Sequence, residues 1–190
     1  LIYFTIQVSV YGVLFYLPTR IAELLGTGIG LKVGALTSIP WIATVCMLYL
    51  VTRHADRKGQ QTRYAALMLA MAAVGMIGST LSGNLVLVIM AFCVAAAGFI
   101  TVQPLFWTLP TRFLGGAAAA SGIAVIGALG NLGGFLAPTV KTWAEGYFNN
   151  PHAGMYFLAG TALLGALMLI RSARASGNPG KLPAPAATPH

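Results

Sequence analysis

The sequence has very little charge, and this scarcity excludes an ordinary water-soluble domain. Only 7% of the 190 residues are charged, whereas 57% are hydrophobic. Soluble domains carry roughly 25% charged residues. Acidic residues are especially rare: there are three of them against eleven Lys and Arg, which gives a net charge of +8. The basic residues are thinly spread near the ends of apolar runs, so we expect no nucleic acid partner, because nucleic-acid binders gather Lys and Arg on one face.

The motifs of several kinds of chemistry are also absent. The chain contains no Walker A sequence, no HExxH pair and no pattern typical of a Ser/His/Asp triad. Its two cysteines, Cys46 and Cys93, lie in apolar runs without a histidine or an acid at ligand spacing. We interpret them as small buried hydrophobic residues. We therefore expect no enzyme activity, no cofactor, no metal site and no disulfide framework.

Six apolar stretches of about membrane-spanning length dominate the chain. A helix of ~20 apolar residues crosses the ~30 Å hydrocarbon core and pairs all its backbone polar groups internally. We predict an all-α polytopic membrane protein with a bundle of six transmembrane helices, ending in a disordered cytoplasmic tail at 171–190. Pro18 is predicted to close the first span, and Glu23, Asp56 and Glu145 are predicted to lie in loops. The predicted spans are about 1–17, 33–51, 64–81, 85–109, 118–140 and 155–170.

The distribution of Lys and Arg predicts the orientation in the cell (inner) membrane. The loop at 53–63 has four, the loop at 110–116 has one and the tail has three, whereas the opposite side has only Arg20, Lys32 and Lys141. The positive-inside rule places the richer side in the cytoplasm, together with both ends of this segment. Because the chain opens within an apolar run, without a basic region or a cleavage site, we expect a piece of a longer protein.

No Asp, Glu, Lys or Arg lies in the middle of a predicted span, so uncharged polar residues are the candidates for binding a solute. Tyr3, Gln7 and Tyr11 are spaced by four and share one helix face. This stripe either lines a water-filled cavity or serves membrane anchoring and helix pairing, since Tyr anchors at membrane interfaces and Gln can join two helices.

Two further spans carry polar candidates. The fourth span has Thr101, Gln103 and Trp107, of which the last two share a face and suit a polar organic solute, although Trp107 can instead anchor at the membrane interface. Asn131 stands among glycines in the fifth span, where we expect its amide to hydrogen-bond another helix. Gly130 and Gly134 form a GxxxG pair, which predicts close helix packing, either static or sliding.

Two segments resemble a known family. The sequence Asp56-Arg-Lys-Gly59 with Arg63 resembles the DRxGxR loop motif of the major facilitator superfamily, which follows the second helix of each six-helix half. Residues 106–116, followed by 122–126 and 130–138, are similar to the tenth and eleventh helices of its anion:cation symporter family. The run from Tyr11-Gly to Leu17-Pro-Thr19 is similar to the seventh helix of that family.

The resemblance implies helices seven to twelve of a twelve-helix carrier, whose partners are the lipid bilayer and a missing N-terminal six-helix half. Such carriers import organic anions such as sugar acids, tartrate or aromatic carboxylates, usually with protons, by alternating access. Asp56, Arg57, Gly59 and Arg63 would latch one conformation, and the family's anion-binding Arg and coupling carboxylates would lie mainly in the other half. The candidate substrate contacts are Tyr3, Gln7, Tyr11, Thr101, Gln103, Trp107 and Asn131.

One departure from the family pattern concerns the substrate. Many members have an Asn at the position of Gly127, one turn before the Gly-Asn pair, and a glycine has no side chain to contact a solute. Either the solute is bulkier there or another residue replaces the contact. Two alternative functions also stay open: a non-transporting six-span scaffold or assembly subunit, and an efflux carrier of the same fold.

Overall fold

Long helices form almost the whole of the described chain. A computed structural model of the protein describes residues 1–113 and 116–175, apart from the side chains of 112–118 and 175. No β-strand occurs in these ranges, so the predicted all-α class is confirmed. The helices are α1 (Ile2–Leu25), α2 (Leu31–Lys58), α3 (Gln61–Gly78), α4 (Leu85–Trp107), the short α5 (Pro110–Phe113), α6 (Gly116–Phe148) and α7 (Ala153–Ala175).

Most of these helices are built to cross a membrane. In the described part of the chain, five are long and apolar enough to do so, namely α1, α2, α4, α6 and α7. The sixth long helix, α3, has 18 residues and begins with the polar run Gln61-Thr62-Arg63. Each of the six predicted spans overlaps one long helix, and the architecture is the expected polytopic helical bundle.

The helices are longer than the predicted spans, and several predicted loop residues prove to be helical. Pro18 does not close the first span, because α1 continues through it to Leu25. Pro18 lacks an N–H and so leaves the Leu14 carbonyl without its backbone donor, a loss that membrane helices tolerate. The Thr19 hydroxyl donates to a different carbonyl, that of Tyr16, at 2.7 Å.

Three acidic residues were wrongly predicted to lie in loops for the same reason: the helices extend beyond the apolar spans. Glu23 lies in α1, Asp56 in the last turn of α2 and Glu145 in α6. The predicted tail also starts too early, since α7 continues to Ala175. Residues 176–190, including Lys181, lie outside the described residues, as does the side chain of Arg112.

The bundle core lies where α1, α3, α4 and α7 meet. Half or more of the spanning residues of α1, α4 and α7 are buried, against 17% in α2 and 22% in α6. The two last-named helices therefore lie at the periphery and leave broad apolar faces exposed. The largest fully buried side chains include Ile6, Leu17, Leu69, Phe92, Phe99 and Leu158.

Two glycines let α3 and α4 approach until their backbones touch. A Cβ at Gly75 would collide with backbone atoms of Ala91 and Ala95, and a Cβ at Gly98 would collide with the backbone of Met68 and Ala72. Small residues at such crossings allow the close packing that drives helix association in lipid. These two contacts also fix α3 and α4 as antiparallel neighbours.

The substitution Gly75→Leu is expected to destabilise the bundle, because backbone atoms cannot move aside as a flexible side chain can. Overpacking of this kind costs about 1–3 kcal/mol. The matched control is Gly160→Leu on α7, where a Cβ would meet nothing within 4 Å. Thermal melting of the full-length gene product in detergent should show a lower Tm for Gly75→Leu alone. Equal melting temperatures for both variants would contradict this packing.

Candidate functional site

The polar stripe of α1 packs directly against the glycine-rich stretch of α6. The ring of Tyr3 occupies the space that a Cβ at Gly130 would need, and the ring of Tyr11 does the same at Gly134. Between them, a Cβ at Gly133 would lie 2.6 Å from the Phe4 carbonyl oxygen. The GxxxG pair therefore acts as a surface on which two tyrosine rings of the neighbouring helix lie.

A hydrogen bond between two amides lies at the centre of this crossing. Gln7 Nε2 donates to Asn131 Oδ1 at 3.0 Å, which is the interhelical bond expected for Asn131. Gln7 is buried and its Oε1 has no partner within the described part of the chain, whereas Asn131 is exposed. An unpaired buried carbonyl is costly in a low-dielectric environment. Gln7 Oε1 is therefore an acceptor that a donor group of a bound molecule would satisfy, and the Asn131 side chain lies at the exposed edge of the pair.

An aromatic cluster joins the same crossing to the end of α4. The Tyr3 ring stacks on Phe106 with centroids 5.2 Å apart and meets Trp107 edge-on at 4.8 Å. A cavity of about 480 Å³ lies beside these rings. Apart from Tyr3, its walls are apolar or glycine: Leu1, Ile2, Phe4, Phe106, Ile126, Leu129, Gly130 and Met168.

The seven candidate contacts are thus only partly brought together. Tyr3, Gln7, Trp107 and Asn131 lie around one crossing, and Tyr11 packs on the same face of α6 beside Gly134. The two remaining candidates are Thr101 and Gln103 of α4. Thr101 is fully buried and its hydroxyl oxygen has no hydrogen-bond partner among the described residues, while Gln103 is half-buried.

The motif that resembles the superfamily loop lies at the end of α2. Gly59 caps this helix with φ 61° and ψ 26°, in the left-handed region that favours glycine. Gln61 Nε2 donates to Asp56 Oδ1 at 3.0 Å and so links the end of α2 to the start of α3. Arg57 and Arg63 are exposed. The hydrogen bond thus connects the two helices, while both arginine side chains stay on the surface.

A charged cluster that the sequence analysis did not single out lies towards the opposite end of the bundle. Lys141 Nζ is 2.8 Å from Glu145 Oε1 and lies 4.8 Å from the ring centroid of Tyr16 on α1. The four-residue spacing of Lys141 and Glu145 could have signalled the ion pair. Their contact with Tyr16 depends on the packing of α6 against α1, which no local pattern encodes.

The chain belongs to the Major Facilitator Superfamily. The sequence profile of that superfamily matches residues 1–138. The chain is 47% identical over 171 residues, 89% of its length, to an inner membrane transport protein of Escherichia coli, RhmT. It is 34% identical over 184 residues, 96% of its length, to a putative tartrate transporter of Agrobacterium vitis. It is 36% identical over 168 residues, 88% of its length, to a quinolone resistance transporter of Acinetobacter baumannii.

The matched part of each relative is less than half of that relative. The chain spans 39% of RhmT, 42% of the tartrate transporter and 38% of the quinolone resistance transporter. Membership of the superfamily and the five apolar helices together make the chain part of a multi-pass membrane protein.

The Gln7–Asn131 bond is expected to couple the two residues energetically. Replacing either amide by Leu removes the bond, so the double variant should be less destabilised than the sum of the two single variants. Interhelical hydrogen bonds in membrane proteins contribute roughly 0.6 kcal/mol on average, and the coupling should be of that order. Unfolding of the full-length gene product in mixed micelles measures it. Strict additivity of the two substitutions would contradict a bond between these side chains.

Proposed function

We propose that this chain is the second six-helix half of a secondary active transporter that carries a small organic anion across the cytoplasmic membrane. The solute class is a sugar acid, tartrate or an aromatic carboxylate, taken up with protons by alternating access. The superfamily match and the likeness to a putative tartrate transporter support the fold and the solute class. In such carriers the solute binds near the membrane midplane between the two halves.

The observation that carries the proposal is the amide pair at the α1–α6 crossing. Gln7 and Asn131 offer an unpaired acceptor and an exposed amide edge within otherwise apolar helices. Hydroxyl and carboxylate groups of a sugar acid are the groups that neutral amides bind by hydrogen bonding. A rocking movement that separates α1 from α6 would free both amides, while the rings of Tyr3 and Trp107 would contact the carbon skeleton.

The face of α6 at Gly127, where many members of the resembled family have an amide, is open. A Cβ at Gly127 would meet nothing within 4 Å. The proposed solute is bulkier on this side, a hexuronate in preference to tartrate, and the open face at Gly127 leaves room for it. Charge neutralisation and proton coupling would come from the other half, because the described spans have no central charged residue.

Uptake of labelled tartrate and hexuronates into proteoliposomes of the full-length gene product tests the transport proposal. We expect an inward proton gradient to accelerate uptake of at least one carboxylate. Asn131→Ala should lower the initial rate roughly three- to tenfold, since one hydrogen bond contributes about 0.5–1.5 kcal/mol. The control is Asn149→Gly, because Asn149 is exposed with φ 48°, which glycine adopts freely. Absence of gradient-driven uptake across a panel of carboxylates would contradict the proposal.

Proton coupling should survive the loss of the most buried carboxylate of this chain. Glu145 is held by Lys141 and lies away from the Gln7–Asn131 pair. In Glu145→Gln, the ratio of uptake rates with and without the proton gradient should equal that of the unmodified protein. The ratio cancels any difference in the amount of protein inserted. Loss of the acceleration would place the coupling carboxylate in this half and contradict the proposal that the other half supplies proton coupling.

Export of an aromatic compound is the second candidate function. It is supported by the 36% identity to a protein named for quinolone resistance and by the aromatic rings beside the 480 Å³ cavity. Cells that express the full-length gene product would accumulate less of a fluorescent quinolone if the carrier exports such compounds. Equal accumulation in expressing and control cells, together with carboxylate uptake, would favour the import proposal.

A further inference from the structure

A long apolar groove lies between α3 and α7, on surfaces that the Gln7–Asn131 crossing does not use. Its volume is about 570 Å³. Small side chains form its floor, and exposed leucines form its walls. The groove residues that matter here are Ala70 and Ala166, Leu67 and Leu167, and at one end Arg63 and Arg174.

The two arginines give this groove a strongly basic end. Arg63 lies in the first turn of α3 and Arg174 in the last turn of α7, and both side chains are exposed. The ion pairs among the described side chains are Arg20 with Glu23 and Lys141 with Glu145, so neither groove arginine is neutralised by an acid there. By the distribution of Lys and Arg, this end of the bundle is predicted to face the cytoplasm.

The groove is apolar along most of its length and positively charged at one end. Its walls are apolar side chains of α3 and α7, and the predicted orientation puts its arginine end at the cytoplasmic head-group layer. Arg side chains extend their charged groups to that layer while their aliphatic stems stay on apolar surface. A soluble anion would use only the arginines, and an apolar peptide would use only the walls. A phospholipid with a negatively charged head group uses both.

We propose that the groove between α3 and α7 binds an anionic phospholipid of the cytoplasmic leaflet, with an acyl chain along Leu67 and Leu167 and the phosphate between Arg63 and Arg174. Basic pockets between transmembrane helices on the cytoplasmic side bind anionic head groups in this way. The bound lipid would hold the start of α3, the one long helix of the described chain that is not among the five candidate membrane spans, against α7. This inference stands independently of which solute the carrier moves.

Native mass spectrometry of the full-length gene product in mixed micelles tests the proposal. The probes are phosphatidylglycerol and phosphatidylcholine at equal concentrations. The unmodified protein should retain severalfold more phosphatidylglycerol than phosphatidylcholine. The double variant Arg63→Gln/Arg174→Gln should lose that preference. Equal retention of the two lipids by the unmodified protein, or an unchanged preference in the double variant, would overturn the proposal.

Two matched variants distinguish lipid binding in the groove from nonspecific attraction of anionic lipid to basic residues. Arg57→Gln removes an arginine of the same loop motif as Arg63, and Arg171→Gln removes one from the same helix end as Arg174; neither residue lines the groove. Both should keep the lipid preference. Loss of the preference in these variants, to the same extent as in the double variant, would show nonspecific attraction and contradict a built site.

A further variant, and competition by inorganic phosphate, test the contact of the acyl chain with the apolar walls of the groove. Ala70→Phe fills the groove while leaving both arginines, and it should reduce retention of phosphatidylglycerol. Phosphatidylglycerol with a photoreactive acyl chain should crosslink to peptides that contain Leu67 or Leu167, and excess inorganic phosphate should leave that crosslinking intact. Crosslinks elsewhere, as expected if the other half of the protein covers the groove, or displacement by phosphate, would refute lipid binding here.

Discussion

The close approach of α1 to α6 is the contact on which the polar region of this molecule depends. Lipid gives two apolar helices little reason to associate, so their packing rests on van der Waals contact and interhelical hydrogen bonds. Gly130 and Gly134 provide the van der Waals contact, because the rings of Tyr3 and Tyr11 pack directly on them. Only at that distance can Gln7 reach Asn131. A side chain at either glycine would separate the helices and leave both amides without their partner, at a cost that is largest for the buried Gln7.

Different faces of the bundle carry different chemistry. The α1–α6 crossing holds neutral amides and aromatic rings, the α2–α3 turn holds a glycine cap and a carboxylate bonded to Gln61, and the far end holds the Lys141–Glu145 pair. The core between α3 and α4 is backbone against backbone and has no room to move at Gly75 and Gly98. The α3–α4 contact thus rests on backbone packing, whereas the α1–α6 contact rests on side chains, namely two tyrosine rings and an amide pair.

Local patterns predicted some of these features and could not predict others. Spans of ~20 apolar residues predicted six long helices, and the glycine neighbours of Asn131 predicted an interhelical bond. The prediction failed at Pro18, because the apolar run ends there whereas the helix continues to Leu25. The partner of Asn131, the stacking of Tyr3 on Phe106 and the place of Lys141 over Tyr16 are contacts between helices distant in sequence. These contacts depend on how each helix is rotated about its axis and shifted along its neighbour, which the sequence pattern of a single helix does not specify.

Water access at Asn131 tests the central claim most directly, namely that the amide pair borders the path of a solute. With Cys46 and Cys93 replaced by Ala, a membrane-impermeant thiol reagent would be applied to Asn131→Cys and to Leu164→Cys, an exposed position on α7. The account predicts rapid labelling of Asn131→Cys, slowed by a transported carboxylate, and little labelling of Leu164→Cys. Asn131→Cys that stays unlabelled, or that is labelled at the same rate with and without the carboxylate, would contradict it.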